Sequence, residues 1–175
     1  MAYGPAALAD GAAVNQWADR VKGVLATASG TPTLRHGAVG GRAAVRFDAT
    51  DGTDLLRVDR LASPMSGAKD FSVAFVFQTS AQNLVGAEAE WFKNTSLIDS
   101  SSLGVTNDWG VSVNAAGRVA AGFGRGFGVP SNNLYSSQTG LNDGDWHAVV
   151  LRRAGTAVSL QVDDGPWVQI ATHDQ

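Results

Sequence analysis

Apolar residues alternate with smaller or more polar ones from Phe71 to Gln78: Phe71, Val73, Phe75 and Phe77 take every second position, with Ser72, Ala74, Val76 and Gln78 between them. Successive side chains of an extended chain point to opposite faces, so this period of two predicts a strand with one buried face. The pattern returns at Ala157 to Val162, where Val158, Leu160 and Val162 alternate with Ser159 and Gln161. Asp163-Asp164-Gly165 then signals a turn and predicts a hairpin into Trp167-Val168-Gln169-Ile170. Just upstream, Asp145 to Arg152 reads as a strand that ends at the turn Arg153-Ala154-Gly155-Thr156. The C-terminal stretch is thus an antiparallel meander.

Shorter strands are expected at Thr33 to Arg35, Ala43 to Phe47, Asp54 to Val58, Ser96 to Asp99, Trp109 to Val113, Arg118 to Phe123 and Asn133 to Ser136. Many short strands between Gly, Asn, Asp, Ser and Pro predict an all-β sandwich. Two stretches point elsewhere. Val14, Trp17 and Val21 fall at helical spacing, and Leu84 to Trp91 contains Ala87-Glu88-Ala89-Glu90. In Gly122-Phe123-Gly124-Arg125-Gly126-Phe127-Gly128 every Cβ lies on one side of an extended ribbon, which lets a neighbouring backbone approach the other.

Composition narrows the function. The chain has 175 residues, 44% hydrophobic and 17% charged, which suits one domain with its own core. Thirteen Lys and Arg stand against sixteen Asp and Glu, a net charge of −3 with no basic block. That balance removes the electrostatic footprint of a nucleic-acid binder. No apolar run approaches the roughly 20 residues needed to span a bilayer, so membrane insertion is not expected. The absence of cysteine excludes disulfides, thiolate metal sites and a thiol nucleophile.

Several segments, in order, resemble a known group: Leu97-Ile98-Asp99-Ser100, Asn107-Asp108-Trp109-Gly110-Val111, Gly117-Arg118-Val119, Leu141-Asn142-Asp143-Gly144-Asp145-Trp146-His147-Ala148-Val149, and Leu160-Gln161-Val162-Asp163. Together they resemble the laminin G-like branch of the concanavalin A-like lectin/glucanase superfamily. Asp10-Gly11, Val14, Trp17, Asp19 and Gly41 to Asp48 resemble the opening of its bacterial or phage members. The resemblance implies a single domain over residues 1–175, an antiparallel two-sheet jelly-roll sandwich, and a strand rather than a helix around Trp17. Only nine residues precede Asp10, so by the same comparison terminal strands are expected to be missing at both ends. A sheet edge left in this way predicts a homo-oligomer or a segment of a larger protein, with residues near Met1 to Leu8 and Trp167 to Gln175 at the interface.

The resemblance further implies a non-enzymatic recognition module for a carbohydrate or a surface protein, in an extracellular or virion-surface assembly. A purely structural role, binding protein only, is the first alternative. The ligand residues are expected in one loop, Arg125, Phe127, Asn132, Asn133 and Tyr135, which supplies aromatic plates together with groups that bond hydroxyls. Calcium is the cofactor implied by the family, with Asp99, Asn107 and Asp108 as its ligands, unless these carboxylates cap turns instead. A glycoside hydrolase needs two carboxylates about 5–9 Å apart. Glu88 and Glu90 are the only close Glu pair, and no catalytic residue is assigned. His147 reads as a satisfied sheet histidine, and Trp17, Trp91, Trp109, Trp146 and Trp167 as core.

Overall fold

The computed structural model describes residues 8–48, 50, 52–82, 84–86, 90–102, 106–125 and 132–171. Residues 1–7 and 172–175, parts of the expected interface, lie outside the described residues. The chain is all-β with antiparallel pairing throughout, consistent with the jelly-roll class. Its contacts divide it into two compact units, Met1–Ala68 and Lys69–Gln175.

In the N-terminal unit, β1 (Gln16–Ala18), β2 (Leu25–Ser29) and β5 (Leu55–Val58) form one sheet in the order β1-β2-β5. β3 (Thr33–Val39) and β4 (Arg42–Arg46) form a separate hairpin. Gly40 and Gly41 join its strands at φ 53° and 77°, the two left-handed positions that a tight hairpin turn of matching twist requires. Val14 and Leu34 are fully buried. The helical spacing of Val14, Trp17 and Val21 is coincidental: Trp17 lies in β1, and Val21 is exposed in the next turn. That turn closes on the Asp19 carboxylate, whose oxygens accept the N–H groups of Val21, Lys22 and Val24 at 2.6–2.7 Å.

The C-terminal unit is a sandwich of two four-stranded sheets. One runs β13 (Val168–Ala171), β12 (Ala157–Val162), β11 (Trp146–Ala154), β6 (Phe71–Gln78); the other runs β10 (Asn132–Tyr135), β9 (Val119–Arg125), β8 (Thr106–Val113), β7 (Thr95–Asp99). The period-two segments become β6 and β12 with the limits expected of them. Register sets Val73, Leu151, Leu160 and Val168 directly opposite one another, one row across four strands. Leu151 and Leu160 are fully buried in that row. Each such side chain contributes about 1.5–3 kcal/mol by leaving water. Facing them are the buried Val111, Val113, Val119, Ala121 and Phe123 of the second sheet. The Phe71 ring links the layers, 5.1 Å from Trp109 and 6.1 Å from Phe123.

Two expectations change. Trp167 is half exposed rather than core, because it precedes the edge strand β13 at the rim of its sheet. The only described helical residues between Leu84 and Asn94 are the 3-10 turn Trp91–Lys93, and 87–89 lie outside the described residues.

Candidate functional site

Register collects most of the expected ligand residues at one end of the sheet β10-β9-β8-β7. Asp99 pairs with Gly110 as β7 ends, Arg125 pairs with Thr106 where β9 ends and β8 begins, and Asn132 opposite Phe123 opens β10. Asp108 follows two residues after Thr106 on the same strand. Arg125 is exposed and Asn132 half-buried. Phe127, in the connection between them, lies outside the described residues, as does the side chain of Asn107.

The two carboxylates of this end differ. Asp99 Oδ1 accepts the Ser101 N–H at 2.6 Å and so caps its own turn. Asp108 Oδ2 accepts the Ser102 N–H at 2.8 Å, whereas Oδ1 is buried with no hydrogen-bond partner among the described residues. Burial pushes the Asp108 carboxyl above its usual value of 3.8, and the charge of Asp99 adds to the push; N–H groups of Ser102 and Gly124 offset part of it. A buried carboxylate oxygen without a donor, beside a second carboxylate, is a donor set that suits a hard cation. The described residues contain no group of three or more His, Cys, Asp or Glu at metal-binding distance, so carbonyls and water would have to complete the shell.

The rest of the expected ligand set is built into the sheet. Asn133 Oδ1 accepts the Trp91 N–H at 2.8 Å and fixes the start of the 3-10 turn. The Tyr135 ring carries the Arg118 guanidinium 5.3 Å from its centroid. Both side chains therefore hold structure on the sheet's outer face. Gly122 clears one side of β9, where both the Trp91 indole and the Asn132 backbone carbonyl lie close to the position of its missing Cβ. Ser112 Oγ donates to the Trp91 carbonyl at 2.9 Å, so β8 is sealed on this side too.

His147 is satisfied, as expected, by one partner four residues away and one sixteen residues away. Its Nδ1 lies 2.8 Å from Asp163 Oδ2 and its Nε2 lies 3.1 Å from Asp143 Oδ1. Burial alone draws the imidazole pKa down, but the hydrogen bonds and charges of Asp163 and Asp143 outweigh it and raise it above 6.5. Of the carboxylate pair weighed for hydrolysis, Glu88 lies outside the described residues and Glu90 is half-buried.

Sequence reasoning missed Trp91 as the cover of the outer face and Asp143 and Asp163 as the His147 clamp. A signal for the first existed, since Gly110 and Gly122 both interrupt apolar strands. It also missed a polar cleft in the N-terminal unit, lined by Thr33, Arg35, Arg46, Asp48 and Asp54 among others.

The family model described as "Laminin G domain" matches residues 109–175, from within β8 to the end of the chain. This part of the chain is similar to a laminin G domain. No curated protein matches the chain. Laminin G domains are in general non-enzymatic binding modules. No helix among the described residues is long and apolar enough to cross a membrane.

Proposed function

We propose that this protein is a glycan-recognition module whose binding end is the strand-end surface carrying Arg125 and Asn132, with Asp99 and Asp108 beside it. One observation carries the reading: antiparallel register brings an exposed guanidinium, an amide and two carboxylates from four strands to one end of a sheet. Such a set offers donors and acceptors for hydroxyl groups on a rigid support. Asp99 and Asp108 would hold calcium, which when bound supplies a fixed positive charge for sugar oxygens. The module would act within a larger extracellular or virion-surface assembly, as an oligomer or as one segment of it.

Titration of the full chain against a glycan panel, with calcium and with chelator, tests this. Binding that falls in Arg125→Ala at unchanged thermal stability supports the reading. A folded chain that binds no sugar at millimolar concentration but retains a protein partner would replace it with a structural role.

A further inference from the structure

The β3-β4 hairpin of the N-terminal unit carries a half-open cleft of about 310 Å3. Thr33 and Arg46 stand directly opposite each other in its floor, and Arg35 follows two residues along β3 on the same face. The carboxylates at its rim are already engaged. Asp54 accepts the Thr31 N–H at 2.6 Å and the Asp48 N–H at 2.8 Å, one on each oxygen. Asp48 Oδ1 accepts both the N–H and the hydroxyl of Thr50, at 2.9 and 2.8 Å. The two arginines make no ion pair with Asp or Glu among the described residues. The cleft therefore presents two guanidinium forks beside threonine hydroxyls, while its two carboxylates accept N–H and hydroxyl donors and the charge of Arg46 acts on Asp48.

We infer that this cleft is a second binding site, distinct from the sheet end above, for an acidic saccharide that places its oxyanion between Arg35 and Arg46. A guanidinium matches an oxyanion with two parallel hydrogen bonds, and such charge-assisted bonds are about twice as strong as neutral ones. The hydroxyl of Thr33 both donates and accepts, which suits the ring hydroxyls of the same ligand. A lining with no aromatic plate gives a neutral sugar nothing to stack on, so the charge rather than the ring supplies the affinity. The volume lies at the lower end of the roughly 300–1,000 Å3 usual for small ligands, and so fits one or two sugar rings.

The test is calorimetric and NMR titration of the full chain with glucuronate, glucose 6-phosphate, glucose and acetate. Glucuronate or glucose 6-phosphate should bind and shift the amides of Thr31, Thr33 and Thr50, and their comparison distinguishes carboxylate from phosphate as the preferred oxyanion. Glucose and acetate, each carrying half of the recognised chemistry, should bind far more weakly. Arg46→Gln, at an exposed position, and Arg35→Gln should each weaken binding roughly tenfold or more, the effect of losing one charge-assisted contact. Arg125→Ala should leave it unchanged, which separates this site from the sheet-end site. Binding that is equal for glucose, that survives both arginine substitutions, or that fails for both acidic sugars overturns the inference.

Discussion

Gly110 and Gly122 face each other across β8 and β9, and the Trp91 indole occupies the space that their missing side chains leave. A Cβ on either glycine would overlap the ring, and at Gly122 it would also meet the Asn132 carbonyl at 2.6 Å. The glycines thus make both faces of the inner strands buried, one against the sandwich core and one against Trp91.

Gly122→Ala should destabilise the chain by about 1–3 kcal/mol, the cost of overpacking a filled site. Trp91→Ala should cost about 3–5 kcal/mol through the cavity it leaves. Urea denaturation with tryptophan fluorescence measures both. If Gly122→Ala leaves the midpoint unchanged, the indole does not lie where the structure places it.

The clamp on His147 predicts a pH dependence. Both ring nitrogens meet carboxylates, which requires the doubly protonated ring, and the folded-state pKa is raised above 6.5. Its contribution is therefore fully present below pH 6.5 and is lost as pH rises through the folded value. Asp143 works at the other limit: the Asp145 N–H and the His147 hydrogen bond hold its pKa below 3.8, so its contribution is lost as pH falls through that lowered value. Stability should decline in the native chain as pH rises above 6.5 and through the raised folded-state value. His147→Gln should flatten that decline, and an equal decline in the variant would remove the clamp from the explanation.

Asp108 predicts the reverse of an ordinary carboxylate deletion. Because burial and Asp99 raise its pKa, its ionisation costs stability as pH rises through the folded value. Without divalent cations, Asp108→Asn should melt at or above the native temperature at pH 7. Calcium should raise the melting temperature of the native chain only, by an amount equivalent to about 2.7 kcal/mol at a hundredfold excess over its dissociation constant. Differential scanning calorimetry in chelator and in calcium gives both results, and a native chain indifferent to calcium removes the cation from the site.

Asn133 and Arg125 should separate stability from binding. Asn133→Ala removes the bond to the Trp91 N–H and should cost about 0.5–1.5 kcal/mol, whatever is bound. Arg125→Ala, exposed at the end of β9, should change stability by less than about 0.5 kcal/mol and act on affinity alone. Paired melting and glycan titrations show the split, which fails if Arg125→Ala unfolds the chain.

Much of the architecture was legible because a strand declares itself in its neighbours. Phe71 to Gln78 and Ala157 to Val162 carry the period of two, and a buried face cannot tolerate a slip of one residue without turning every side chain outward. The turns at Asp163-Asp164-Gly165 and Arg153-Ala154-Gly155-Thr156 were legible for the same local reason, with Asp163 and Gly155 at the positive φ that most residues avoid. Val14, Trp17 and Val21 misled when read alone, since three apolar residues at helical spacing say nothing about the Asp19 cap that bends the chain between them. What only the tertiary structure decided depends on residues far apart in sequence. Trp91 reaches Gly110 and Gly122, and Asp163 reaches His147 across 16 positions. Asp54 ties Thr31 to Asp48 and thereby frames the arginine cleft. Spacing along the chain cannot reveal such meetings, because register between strands, and not sequence distance, determines which side chains share a site.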